Sequence, residues 1–293
     1  MVKEKEQNND VLVSVIIPVY NSALWVKQTL DCVCLNSHKN LEVICILDKP
    51  TDGSDKIVHD YAARDSRVVV IDQMENKGQS AAKNLGFRQA KGDWIHFMDS
   101  DDLIGIHFYR DMLASANLAD GINGVLCNDI VHERDGFRQV VQAPMIMSNF
   151  GDIADFAKDM VIPLWAWIIR HEFLKDINFA FPEDKRQCED YEIMPDTIDK
   201  MGRICIADGA FYIYKKRVNS ASINRPPEDR APDEDRGHKI MDDLAHKRGG
   251  NQRHDIYSGK SYFNGKLVVM NCAGGVTEVL LFGRRLFRTK GKK

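Results

Sequence analysis

The sequence predicts an α/β fold: a Rossmann-like, mostly parallel, doubly wound sheet flanked by helices, with a small appendage at the C-terminus. Three observations predict it. Through the first hundred residues, short β-branched runs alternate with segments of helical period. The run Trp94-Ile95-His96-Phe97-Met98 is largely apolar on both faces, as a strand covered on two sides must be. That strand then stops at Asp99, Ser100, Asp101 and Asp102, which places hard oxygen ligands at the carboxyl edge of the sheet, where open α/β folds bind their ligands.

The elements follow in order. Val11 to Val19 is a β-branched run closed by Tyr20-Asn21-Ser22, and it reads as the first buried strand. Asn21 or Ser22 is suited to cap the next helix, on which Val26, Leu30 and Val33 recur on one face. Leu41 to Leu47 is the second strand, ending at Asp48, and the turn through Ser54 opens a helix carrying Ile57, Val58 and Tyr61. Arg67 to Ile71 is the third strand. Asn76-Lys77-Gly78 opens a helix whose inner face holds Ala82, Leu85, Gly86 and Ala90, small enough for close approach to the sheet. Since β-α-β crossovers are right-handed, a parallel sheet follows, with Tyr20, Asp48 and Asp99 at one edge.

Composition bounds the function. With 293 residues, 44% hydrophobic and 28% charged, the chain suffices for one large domain plus an appendage and is not disordered as a whole. Seven cysteines without a C-x-x-C pair fit buried, reduced thiols and a cytoplasmic setting. The polar first ten residues lack an apolar signal core, and no run is long enough for a membrane span. A net charge of −3 argues against a nucleic-acid coat protein. The charge is uneven: beyond Glu278, Arg284, Arg285, Arg288, Lys290, Lys292 and Lys293 stand without an acid. Behind Val279-Leu280-Leu281-Phe282, that tail suits peripheral contact with an anionic membrane surface, or a solvated terminus.

The acidic edge by itself fits a divalent cation carrying phosphates, or a turn that merely stops a strand. It is not an EF-hand, whose sixth and twelfth positions would be Ile104 and Arg110. A phosphatase of the aspartyl-phosphate kind would place Thr at Leu103. There is no G-x-G, the residue needed to complete a P-loop before Gly259-Lys260-Ser261 is His254, and His171-Glu172 lacks a second His at Lys175.

Four separate stretches are together more specific. Val13 to Asn21; Glu42 to Asp48 with Thr51-Asp52-Gly53-Ser54; Asn76-x-Gly78 with Ala82-Lys83-Asn84-x-Gly86; and Gly92 to Asp102 resemble, in order and spacing, the family 2 glycosyltransferases with the GT-A fold. The resemblance implies a donor site for a nucleoside diphosphate sugar built from Pro18, Tyr20, Asp48, Lys83, Asp99, Ser100 and Asp101. Tyr20 would lie against the base and Asp48 would bond base or ribose. Asp99 and Asp101 would hold ribose and a Mg²⁺ or Mn²⁺ ion. Farther on, Cys188-Glu189-Asp190-Tyr191 resembles the family's Glu-Asp motif, which makes Asp190 the expected general base of an inverting transfer. A UDP-sugar is the implied donor, a glycan or lipid-linked acceptor the implied partner, and bacterial surface-polysaccharide synthesis at the inner face of the plasma membrane the implied setting. Rival readings are a nucleotide-sugar-binding regulator without transfer, and a metal-dependent nucleotidyltransferase or phosphatase.

Two departures stand out. Where the family has a Gly-Ser turn after Asp48, this chain has Lys49-Pro50, and Lys83 stands where Arg is more common. Beyond Asp102, Phe108 to Ala116 reads as a helix and Gly124 to Asn128 as a strand. Trp165 and Trp167 are candidates for an acceptor platform or for core. Phe211 to Ser222 resembles a Tyr-Arg-x-x-x-x-Ser segment; its cations suit the diphosphate, or a basic loop after an edge strand. The expected divisions are a flexible 1–10, a catalytic domain over 11–223 with a donor half (11–102) and an acceptor half (103–223), a charged linker over 224–255 with one short helix near Asp235 to Lys247, and a C-terminal element over 256–293.

Overall fold

A computed structural model describes residues 10–118, 120–134, 137–142, 163–183 and 189–215, and the strands of 255–262, 267–272, 276–281 and 284–290. The expected flexible N-terminus through residue 9, Cys188, Lys216 to Ser222, the linker over 224–254 and its helix lie outside the described residues.

The donor half alternates strand and helix as predicted: β1 (Val13–Val19), α1 (Val26–Cys34), β2 (Leu41–Leu47), α2 (Ser54–Ala62), β3 (Val68–Asp72), α3 (Gln79–Gln89) and β4 (Trp94–Phe97). The four strands are parallel in the order β4-β1-β2-β3, with Val13 level with Leu41 on one side and Trp94 on the other. Every β1 residue is buried. Its period of two divides the interior: Ile16 faces one core with Ile44, Ile46, Ile95 and Phe97, whereas Val13, Val15, Ile17 and Val19 face the other, with Val26 and Leu30 of α1.

Pro18, buried in β1, lies just past the end of the β1–β4 pairing. The carbonyl of Ile16 accepts the Met98 amide on the β4 side, and Pro18, two residues on, turns its missing N–H to that same side. There β4 has ended at Phe97, so no ladder bond is lost. Helix α3 lies tight on the sheet at Gly86, where a Cβ would stand 2.5 Å from Ile16 Cγ2 and 2.7 Å from Ile46 Cδ1.

The second half adds β5 (Leu103–Ile104), α4 (Phe108–Ala116), β6 (Gly124–Arg134), β7 (Phe137–Gln142), β8 (Trp167–Arg170), α5 (His171–Asp176), α6 (Asp190–Met201) and β9 (Arg203–Lys215). Strand β8 bridges the halves, antiparallel to β4 and to β6. Strand β6 runs parallel to β9, and β5 pairs antiparallel with β9. Met194, Ile198 and Met201 of α6 enter the same core as Ala82 of α3. The two helices therefore share one face of the sheet, which sets up the site.

Strand β9 is not an edge strand: it lies between β6 and β10 (Asp255–Tyr262). An antiparallel meander of β11 (Leu267–Cys272), β12 (Val276–Leu281) and β13 (Arg284–Lys290) continues outward. The apolar run is thus mostly in β12 and the basic tail mostly in β13.

Candidate functional site

The acidic edge is built by three neighbours of β4. One hydroxyl, Thr29 Oγ1 of α1, donates to the carbonyls of Ser100 and Asp102, each at 3.0 Å, which fixes the bend of the loop. The Ser100 hydroxyl pairs with that of Ser22 at 2.6 Å, tying the loop to the end of β1. Asp102 turns inward, fully buried, accepting from the Tyr212 hydroxyl at 2.8 Å and the Lys215 amide at 2.9 Å. Burial, and then the nearby charge of Asp99, pushes its carboxyl well above the usual range. Asp101, like Asp102, is largely buried. Asp99 is half-buried and accepts from Gln79 Nε2 of α3 at 2.9 Å.

At the end of β2 the outcome differs from the expectation for Asp48. Its carboxylate is 3% exposed and accepts from Gln73 Nε2 (2.9 Å), the Lys77 amide (2.8 Å) and the Gly78 amide (2.9 Å). Both oxygens are thereby engaged by the chain's own donors. Asp48 is thus tied to the loop that leads into α3. Gly78 meets this demand at φ 87 and ψ 168, a conformation open to glycine. Tyr20, by contrast, is 51% exposed at the end of β1. Beside Asp48, Lys49 is exposed and adopts φ 53, a left-handed conformation that carries a steric cost for a residue with a Cβ.

Lys83 also departs from its expected place. Its side chain is buried, and its ammonium donates to Glu189 Oε1 at 2.7 Å and stands 4.0 Å from Asp190 Oδ1. Burial pulls that ammonium down, but Glu189, Asp190 and Asp99 outweigh it and raise it above its ordinary value. Lys83 is thus paired with the segment that opens α6. Its neighbour Asn84 grips the same segment: its side chain accepts from the Phe181 amide at 2.8 Å and donates to the Phe181 carbonyl at 3.0 Å.

Asp190 is the first residue of α6. Its Oδ2 accepts from the Leu164 amide at 3.0 Å, while Oδ1 is buried without a hydrogen-bond partner. Burial, opposed by Lys83 and reinforced by Glu189 and Asp99, raises its carboxyl from 3.8 to about 7. An under-satisfied carboxylate of that basicity is suited to receive a proton near neutral pH. Helix α3 thus brings Asp99 and Asp190 into one electrostatic neighbourhood, through Gln79 and Lys83 one turn apart.

Among the described residues no three His, Cys, Asp or Glu side chains converge as a metal cage. The donor set still fits a hard divalent cation, because Mg²⁺ and its kin are held by one or two carboxylates together with substrate phosphates and water. Asp99 and Asp101, at the carboxyl end of β4, are the residues that would hold it. Trp167 is fully buried core. Trp165 is half-buried and stacks on Tyr212 (4.5 Å between centroids) and Tyr214 (5.2 Å). It is packed by its own chain, in keeping with the core alternative.

Sequence reasoning missed Gln73 and Gln79, and it gave Glu189 no role. The one available signal was the spacing of Gln79 and Lys83, which an α-helix puts on the same face.

Comparison with known proteins agrees with this geometry. The profile of Glycosyl transferase family 2 matches residues 14–177. The uncharacterized glycosyltransferase EpsJ of Bacillus subtilis is 28% identical over 218 residues, covering 71% of this chain and 62% of EpsJ. Glycosyltransferase GlyG of Streptococcus pneumoniae is 26% identical over 224 residues, covering 71% of this chain and 72% of GlyG. Among solved structures, TarS of S. aureus (residues 1–349) in complex with UDP superposes with a TM-score of 0.60 at 22% identity, over 80% of this chain and 71% of that one. TarS is also known with UDP-GlcNAc, at a TM-score of 0.60, 23% identity, and 82% and 67% coverage. The mannosyltransferase PcManGT of Pyrobaculum calidifontis, in complex with GDP-Man and Mn²⁺, gives 0.50 at 16% identity, with 82% and 75% coverage. A sheet edge carrying Tyr20, Asp99 and Asp101, with Asp190 brought up to it by α3, on a fold shared with these proteins, completes the assignment: the chain belongs to the family 2 glycosyltransferases and has the GT-A fold.

Proposed function

We propose that the protein is an inverting glycosyltransferase that moves a sugar from a UDP-sugar to a hydroxyl of a glycan or lipid-linked acceptor, with Asp190 as general base. The observation that carries this reading is Asp190 itself, whose Oδ1 is left without a hydrogen-bond partner and whose carboxyl is raised to about 7. An acceptor hydroxyl is a poor nucleophile until its proton is taken as the new bond forms. Asp190 accepts that proton, the acceptor oxygen bonds to C1 of the donor sugar, and the bond from C1 to the diphosphate breaks with its electrons passing to phosphate oxygen. A single displacement from the face opposite the diphosphate inverts C1.

Tyr20 stacks on the base, and the loop held by Asp48 borders it. A divalent ion, Mg²⁺ or Mn²⁺, bound at Asp99 and Asp101 would offset the charge growing on the diphosphate. The UDP and UDP-GlcNAc complexes of TarS support a uridine donor, and the Mn²⁺ of PcManGT supports the cation. The arginines and lysines of β13 support action at an anionic surface, the cytoplasmic face of a plasma membrane, in polysaccharide synthesis. No helix among the described residues is long and apolar enough to cross a membrane.

Asp190→Asn tests the reading. We expect transfer from UDP-sugars to fall by about 10²- to 10⁴-fold while UDP still raises the melting temperature in the presence of Mn²⁺. Undiminished transfer by the variant would remove Asp190 from the chemistry. UDP stabilisation without transfer in either protein would mark a nucleotide-sugar-binding regulator.

A further inference from the structure

Lys83 carries a buried positive charge between two carboxylates and cannot satisfy both equally. It donates to Glu189 at 2.7 Å and lies 4.0 Å from Asp190, with both Lys83 and Glu189 about 5% exposed at the side chain. A buried ammonium demands a close partner, since an unpaired one is among the costliest groups in a protein interior. Which carboxylate takes it therefore decides the state of the other. We infer that Glu189 is a positioning residue for the transfer: by holding the Lys83 ammonium, it keeps that ammonium from pairing with Asp190 and leaves Asp190 Oδ1 open to an acceptor hydroxyl. The inference rests on the reading of Asp190 as the base.

The geometry supports it from three sides. Glu189 immediately precedes Asp190, so one backbone placement sets both side chains. Lys83 leaves α3 at a position flanked by Asn84, whose two bonds to the Phe181 backbone keep the helix and the segment before α6 in register. The ammonium cannot follow solvent, because it also lies 5.3 Å from the Phe181 ring centroid in the core. Its nearest alternative partner is Asp190. The charged and polar groups facing Asp190 are Lys83 from α3, Glu189 from its own segment, Asp99 from the end of β4, and the Leu164 amide from the 3-10 turn before β8. Removing the Glu189 charge leaves Lys83 the only cation of that set and Asp190 its nearest anion. An ion-paired Asp190 gives up its proton at lower pH and is the weaker base.

The test is the pH profile of kcat/KM at saturating Mn²⁺, for the full chain and three variants. Asp190→Asn separates the two levels: if it transfers normally, the base assignment fails and the inference with it. If Asp190→Asn is inactive, Glu189→Gln tests the inference alone. The expected result is an acid limb moved at least one pH unit below the parent's, with the plateau lowered about tenfold or more and the KM for the donor little changed. An acid limb that coincides with the parent's, or moves up, would overturn the inference and leave Glu189 a packing residue. Lys83→Met/Glu189→Gln leaves no buried charge unpaired at this pair and serves if the single variant does not fold. There the limb is expected to move above the parent's, because the cation that restrains Asp190 is gone; an unmoved limb would again overturn it.

Discussion

Asp48 and Asp190 are both largely buried carboxylates connected through α3, and their hydrogen bonding is opposite. Asp48 accepts from Gln73, Lys77 and Gly78, so both of its oxygens are engaged. Asp190 accepts one bond, from Leu164, and leaves Oδ1 without a partner. A buried carboxylate with its acceptors filled is held by the fold and holds the fold in return. One with an empty acceptor is a cost to the fold and a resource for chemistry. Asp102, in the acidic cluster, is of the first kind, fixed by Tyr212 and Lys215.

The contrast can be broken from either end. The largest effect on stability is expected from Asp48→Ala, which leaves two amides and one side-chain amide without their acceptor; we expect a loss of about 3 kcal/mol in urea unfolding, with donor binding weakened in step. A loss below about 1 kcal/mol would show that Asp48 is not what holds the loop. The next effect has the opposite character. The Asp190 carboxyl is raised in the fold from 3.8 to about 7, so the native state binds more protons than the unfolded chain in that window. Stability is therefore present below pH 3.8 and is lost as pH rises through about 7. Asp190→Asn should remove this loss from the pH dependence of the melting temperature. The smallest effect concerns the turn beside Asp48. Lys49→Gly relieves φ 53 before a proline and should stabilise by about 0.5 kcal/mol, part of the gain being offset by the freer unfolded chain.

The sheet was legible wherever one residue type decides an element. The β-branched run of β1, the matching run of β2 and the two-faced apolar run of β4 each read as strands because burial on both sides leaves no other composition. The place of Asp99 and Asp101 at the end of β4 was legible from motif and spacing. The roles of Asp48 and Lys83 were not, because each depends on a partner distant in the chain: Asp48 on amides of the 77–78 loop, Lys83 on Glu189, 106 positions away. The inner position of β9 was hidden for a similar reason, since β10, the strand on its outer side, begins only at Asp255, 40 residues after β9 ends. Trp165 and Trp167 read alike, and only packing separated the half-buried ring from the fully buried one.

Helix α3 starts where Asp48 fixes its first turn, meets Asp99 through Gln79, and meets the Glu189-Asp190 pair through Lys83. Between those last two contacts lies a little more than one helical turn, and each inserted or deleted residue would rotate one contact away from the other by about 100°. The phase of this helix is consequently a fixed quantity. The count of residues from Gln79 to Lys83 therefore decides whether Asp99 and Asp190 stay in one neighbourhood.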